Sequence, residues 1–127
     1  MIGLSEKEKK IGPADAHAHG MTFSNTDWSG VPQTEHSGET GKAFRKVIDK
    51  GTVRLRLVEY TAGYRSDHWC RRGHALQVLE GRLAAEFQNG ETRVLEHGKS
   101  YQVADNTSPH RFYTEKGAKL YILDLDD

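Results

Sequence analysis

Short apolar runs separated by turn signals fill the chain from Lys42 onward, and this spacing constrains the fold more than any other feature. Val53, Leu55 and Leu57 alternate with other residues, which is typical of a half-buried β-strand. Asn89-Gly90 predicts a tight hairpin turn. No helical period of useful length follows Lys42. Strands are expected at residues 43–48, 53–58, from 74 to the turn at 80–81, and at 83–87, 92–95, 101–103, 109–113 and 120–123. The sequence therefore predicts an all-β sandwich or small barrel.

The bulk composition limits the classes of partner. The 127 residues predict one domain, and 18 basic residues balance 18 acidic ones, so we expect no general attraction to nucleic acid or anionic lipid. A mean hydropathy of -0.75 and the lack of a long apolar run predict no membrane span. The first residues show no signal-peptide core, and one cysteine fits a reducing compartment. We therefore expect a cytoplasmic protein.

The first part of the chain differs from the rest. Residues 1–21 are polar and without a period, and they are interpreted as a flexible N-terminal arm that precedes a barrel at 22–127. His17 and His19 in this arm form only a weak metal-binding signal. Residues 31–41 are rich in Gly, Ser, Thr and Pro, which predicts a loop, and His36 within it is interpreted as a surface histidine.

Three soft or borderline donors follow one another closely after Tyr64. If residues 67–70 form a strand, His68 and Cys70 point to the same face, and His74 begins a second strand that returns to that face. Imidazole and thiol donors suit zinc, iron, nickel or copper. A lone histidine or cysteine is usually structural, but three donors so close together favour a metal site.

The same stretch resembles the first motif of the cupins, G-x5-H-x-H-x3-4-E-x6-G. His68 stands at the first histidine, Cys70 at the second and His74 at the glutamate, and six residues separate His74 from Gly81. Gly63 lies one residue closer to His68 than the motif has it. Residues 98–110 resemble the second motif, with Gly98 at its start and His110, preceded by Pro109, one residue late. More narrowly, Asp67-His68-Trp69-Cys70 resembles the DHCW motif of small bacterial cupins with its last two letters exchanged.

The resemblance implies a single-domain cupin barrel, a double-stranded β-helix of the jelly-roll kind. It also implies one transition metal held by His68, His74 and His110, with Cys70 as the fourth candidate donor. Cupins commonly hold iron, manganese, zinc or nickel. Because thiol and imidazole replace harder donors here, zinc or iron is favoured over manganese or nickel. Many cupins form dimers, so the resemblance also implies a homodimer.

Two functional classes remain open. In the first, the protein is a metalloenzyme acting on a small molecule, such as an oxygenase or isomerase, with an open position on the metal. In the second, three histidines and the thiolate close a zinc site in a non-catalytic ligand-binding or redox-sensing protein. Arg71 and Arg72 either bind an anionic substrate or form a solvated surface pair, and Asp67 is a candidate hydrogen-bond acceptor for a ligand histidine.

Overall fold

A computed structural model describes residues 23–125 and shows an all-β chain, as predicted. The predicted arm at 1–21, with His17 and His19, lies outside the described residues. No helix in the described part is long and apolar enough to cross a membrane. The described elements are a single 3-10 turn, Trp28–Gly30, and the strands β1 (Gln33–Ser37), β2 (Lys42–Lys50), β3 (Val53–Tyr60), β4 (His74–Phe87), β5 (Thr92–Glu96), β6 (Ser100–Val103), β7 (His110–Tyr113) and β8 (Ala118–Leu125).

All strand pairs are antiparallel, and β4 belongs to both sheets. One sheet has the order β1-β2-β3-β8-β4, with β6 on the other side of β4. In this sheet, His74 to Gly81 of β4 pairs with β8. In the second sheet, the later half of β4 pairs with β5 and with β7. The single long strand therefore carries the chain from one sheet to the other.

The change of sheet depends on an irregularity and a glycine in the middle of β4. The register with β8 shifts between Val78 and Glu80. Gly81 follows with φ +82, a left-handed conformation that favours glycine. A Cβ atom at Gly81 would overlap the carbonyl oxygen of Gly117 and lie 3.0 Å from Ala118 Cα. Only a residue without a side chain fits this crossing of the two strands.

The core lies between the two sheets and is built from the alternate residues of their inner faces. Because side chains of a strand point to opposite faces in turn, one face of each long strand is buried. The fully buried apolar side chains are Val58, Leu76, Val78, Leu83, Leu120 and Ile122. His74, His110 and Asp124 lie on the same inner faces and are equally buried. The polar groups of the site are thus part of the core.

Three local predictions were wrong. The turn predicted at 80–81 is instead the interior of β4, which is continuous from His74 to Phe87. Residues 31–41 contain β1, whose register with β2 runs from Gln33–Lys46 to Ser37–Lys42. All its side chains are exposed, so it has no apolar alternation for a sequence pattern to detect. Residues 67–70 are a bend rather than a strand, because Cys70 forms one isolated bridge with His110 instead of a ladder.

The close approach at Gly81 predicts a large loss of stability for Gly81→Ala. A left-handed alanine costs about 1–2 kcal/mol, and the overlap with Gly117 should raise the total to about 3 kcal/mol or more. Gly90→Ala is the matched control, since φ is +91 there but nothing lies within 4 Å of the added Cβ. Urea denaturation of both variants measures the difference. Equal losses would show that the strand crossing tolerates a side chain.

Candidate metal centre

Cys70, His74 and His110 converge at one end of the core. One potential ligand atom from each lies within 4.8 Å of the other two. His74 is the first residue of β4 and His110 the first of β7. Cys70 is held beside His110 by two backbone hydrogen bonds, in which each residue donates to the carbonyl of the other at 2.7 and 3.0 Å. The first residues of β4 and β7, together with the backbone bridge to Cys70, therefore fix the positions of the three donors.

The two imidazoles face each other through the same ring atom. His74 Nε2 and His110 Nε2 are 3.0 Å apart. Two nitrogen ligands at about 2.0–2.1 Å from one metal, at about 90–110°, are about 3.0–3.4 Å from each other. The separation fits two ligands of one ion, and it also fits a hydrogen bond between the two rings.

The acceptors on the far side of each ring indicate its tautomer. His110 Nδ1 lies 2.8 Å from the carbonyl oxygen of Ser108, which can only accept, so this nitrogen carries the proton. His74 Nδ1 lies 3.3 Å from a carboxylate oxygen of Asp124 without forming a hydrogen bond of good geometry, and the nearby carboxylate favours a proton there too. In the neutral rings both Nε2 atoms then present lone pairs, which a proton donor or a metal cation can satisfy.

Burial keeps His110 in the form that binds metal. The side chain is 1% exposed, and the loss of hydration lowers its pKa, with the charge of His74 acting in the same direction. The Ser108 carbonyl partly opposes this shift. A lowered histidine pKa means a neutral imidazole at pH 7, which is the ligand form.

Asp124 supports His74 from behind and is itself held by Arg56. Arg56 Nη2 donates to Asp124 Oδ1 at 3.0 Å, and Arg56 Nε lies 2.7 Å from Oδ2. Burial by itself raises the pKa of Asp124, but His74 and Arg56 outweigh it and the net shift is downward. A carboxylate behind a ligand histidine orients the ring and increases its basicity. This arrangement fits a metal-binding role for His74.

Tyr101 of β6 adds a hydroxyl to the imidazole pair. Its Oη lies 2.6 Å from His74 Nε2 and 3.3 Å from His110 Nε2. Burial raises the pKa of Tyr101 far above its ordinary value near 10, so the group is a neutral phenol that can donate one hydrogen bond. One hydroxyl proton can reach only one of the two facing nitrogens, which leaves the other open to a cation.

The structure does not bring His68 into this cluster. Its side chain is 74% exposed, and its Nδ1 contacts Asp67 Oδ1 at 2.7 Å. The same contact lowers the pKa of Asp67. Asp67 thus contacts a predicted ligand, as expected, but His68 as a metal ligand stays a prediction. The donors that the structure gathers are one thiol and two imidazoles, rather than three imidazoles.

A cavity of about 300 Å³ opens beside the donors. Cys70, His74 and His110 form part of its wall, and Arg45, Arg56 and Arg111 line it too. A small molecule in this space would lie against the three donors. The arrangement is that of a ligand site with a metal position in its wall.

The sequence analysis missed Asp124 and the position of Tyr101. One signal was present: Leu120, Ile122 and Asp124 follow one another at the period of two that marks the inner face of a strand. A carboxylate on a buried face requires a partner, so it indicates a polar site. Tyr101 gave no comparable signal, since tyrosine is common in strands.

Comparison with known proteins places the fold. No family model matches the sequence, and no curated protein matches it. Among solved structures, an RmlC-like cupin from Shewanella frigidimarina is 16% identical, with a TM-score of 0.69 over 84% of this chain and 93% of that one. Ectoine synthase from P. lautus is 14% identical, with a TM-score of 0.67 over 81% and 78%. FeII HppE is 17% identical, with a TM-score of 0.62 over 81% of this chain and 60% of that chain.

These identities are low, and the similarity concerns the fold rather than the reaction. The described strands, the two sheets joined by β4 and the structural neighbours agree. The chain has the cupin fold, as the motif resemblance implied.

Proposed function

We propose that this protein is a metal-dependent enzyme that acts on a small molecule, as an oxygenase or isomerase. Zinc or iron would be held by Cys70, His74 and His110. The observation that carries the proposal is the convergence of these three donors in the wall of a cavity of about 300 Å³. Metal content of untagged protein, with the coordination number from X-ray absorption, tests it.

The donor set favours zinc or iron. One thiolate and two imidazoles are borderline-soft ligands, which suit zinc and iron better than manganese. When bound, such a metal supplies activation of dioxygen or water, or polarisation of a carbonyl group. Three protein donors leave coordination positions open, as catalytic metal sites require. The cavity gives a ligand access to that open side.

The chain itself supplies a proton-holding group and a rigid support. Tyr101 Oη, 2.6 Å from His74 Nε2, places a neutral phenol beside the donors, where it can donate a hydrogen bond but is too weak an acid to give up its proton readily. Asp124 and Arg56 fix the orientation of His74 from the opposite side. The histidine thus has a hydrogen bond at Nε2 and a carboxylate 3.3 Å from Nδ1, and together with burial these contacts would keep the site preorganised.

The structural neighbours are consistent with this class. Ectoine synthase is an enzyme, and HppE is an iron(II) protein of the same fold. Because the fold hosts many chemistries, they support a metalloenzyme without identifying its substrate.

One observation favours the second class, a closed zinc site in a ligand-binding or redox-sensing protein. His68 lines the same cavity as the three donors and precedes Cys70 by two residues. A movement of the exposed 67–68 bend would bring a third imidazole to the metal. Three histidines and one thiolate would then fill a tetrahedral shell.

The first prediction concerns the ligands. His74→Ala and His110→Ala should each lose the bound metal, because each removes one of the two facing nitrogens. His97→Ala, in the exposed turn between β5 and β6, is the matched control and should retain it. Mass spectrometry of the metal content in untagged, chelator-free preparations checks this. Full occupancy in His74→Ala would refute the assignment.

A second prediction separates the open site from the closed one. With an open site of three donors, His68→Ala keeps its metal, whereas Cys70→Ser binds it much more weakly because a hydroxyl replaces the thiolate. Cys70 should also be protected from iodoacetamide until a chelator is added. Loss of metal in His68→Ala would instead establish the closed site and end the enzyme proposal. Rapid labelling of the metal-loaded protein would remove Cys70 from the ligand set.

The third prediction concerns the carboxylate behind His74. Asp124→Asn should weaken metal affinity about 10–100-fold, since the amide no longer increases the basicity of the ring. Asp49→Asn is the control, because Asp49 forms a comparable but exposed ion pair with Arg54. Competition with a chromogenic chelator measures both variants. Equal affinities would mean that Asp124 serves only the stability of the core.

A further inference from the structure

On one side of the cavity beside the metal donors, the cationic Arg45 of β2 is hydrogen-bonded to His36 of β1. We propose that this pair binds the carboxylate group of a small ligand. The inference rests on the proposed function in one respect, because the same cavity would hold the molecule on which the protein acts. It adds the chemical class of that molecule.

Arg45 is the cationic group of the cavity without an acidic partner. Its Nη2 donates to His36 Nε2 at 2.8 Å, and its Nε is buried without a hydrogen-bond partner. Among residues 23–125, no carboxylate forms an ion pair with it. A buried guanidinium donor left unpaired is costly, and an anion offered by a ligand would satisfy it.

The other two arginines of the cavity are already occupied. Arg56 contacts both carboxylate oxygens of Asp124. Arg111 lies 3.4 Å from Glu86, which it shares with Arg65, and 4.6 Å above the ring of Trp69. The Nε atoms of Arg56 and Arg111, like that of Arg45, form no hydrogen bond, but both residues have a carboxylate partner. Arg45 has none, and this points to Arg45 as the anion-binding group of the cavity.

His36 is oriented to assist. Arginine can only donate, so His36 Nε2 accepts the bond from Arg45, and the neutral ring carries its proton on Nδ1. The histidine thus anchors the guanidinium and keeps a second donor of its own. His36 and Arg45 both line the cavity that His74 and His110 line. The sequence interpretation of His36 as a surface residue did not include this contact.

The remaining wall fits a small organic acid. Tyr60 and Tyr64 are stacked, with ring centroids 4.0 Å apart and planes at 8°. Burial raises the pKa of both hydroxyls, so they stay neutral. The Asp67 carboxylate also lines the cavity, where it contacts His68 Nδ1 at 2.7 Å. A cavity of about 300 Å³ is at the lower end of the range for ligand sites. The geometry therefore suits a compact carboxylate with an apolar body.

Calorimetric titration of the full-length, zinc-loaded protein tests the proposal. The probes are benzoate and butanoate, their neutral analogues benzamide and butanamide, and phenyl phosphate. At least one carboxylate should bind with an affinity about tenfold or more above that of its amide. The reason is that the paired N–H groups of the guanidinium form charge-assisted hydrogen bonds with an anion and not with a neutral group. Arg45→Gln should abolish this preference while the metal content stays unchanged. Arg45→Lys, which keeps the charge and loses the fork, should reduce it partly.

Arg71→Gln is the matched control, since Arg71 is exposed on the loop before β4 and the sequence pattern alone made it a candidate for anion binding. It should leave the preference intact. The proposal is overturned if no carboxylate exceeds its amide, if Arg45→Gln retains the preference, or if phenyl phosphate binds more tightly than the carboxylates. The same titration of metal-free protein separates the two proposals. If the protein never binds metal and the metal-free protein still prefers carboxylates in a way that depends on Arg45, the anion site is supported and the metalloenzyme proposal is refuted.

Discussion

The contact between His74 Nε2 and His110 Nε2, at 3.0 Å, is the interaction on which the site depends. Each ring has its other nitrogen turned to an acceptor, Asp124 or the Ser108 carbonyl, so the facing atoms present lone pairs in the neutral state. Two buried lone pairs repel each other unless a proton donor, such as the Tyr101 hydroxyl, or a cation satisfies them. The hydrophobic core holds both rings in this position, so binding of a cation there would stabilise the fold.

The β4 strand makes this contact a consequence of the fold. Its first residue is His74, and its far end pairs with β7, where Phe87 lies opposite His110 in the register. A straight strand of 14 residues would hold the two histidines far apart. The irregularity between Val78 and Glu80 and the left-handed Gly81 turn the strand between sheets, so that both strand starts reach one cavity. The constraint at Gly81 therefore also bears on where the two histidines lie.

The sequence predicted the fold well because alternation and turn residues report burial directly. It also identified Cys70, His74 and His110, which the structure gathers, but it grouped His68 with them on the assumption of a regular strand. Residues 67–70 lack the ladder that fixes alternation, so spacing alone could not decide which side chain turns inward. The ion pair of Asp124 with Arg56 joins residues 68 positions apart, which no local pattern encodes.

The charges of the site complement the proposed ligand. A divalent metal with one thiolate and two neutral imidazoles would carry a net charge of about +1. Asp124 adds no free negative charge, since Arg56 neutralises it within the core. Arg45 then contributes a second positive charge in the same cavity, anchored by His36 rather than by a carboxylate. In a poorly hydrated cavity such charges attract anions strongly. A carboxylate could accept two hydrogen bonds from the planar guanidinium of Arg45 or bind a cation at the metal position. The balancing carboxylate lies behind His74 instead of among the metal donors, and the Asp67 carboxylate in the cavity wall contacts His68. On the proposed function, the metal and Arg45 would then be the charges that meet the ligand, and they would favour an acid over a neutral molecule.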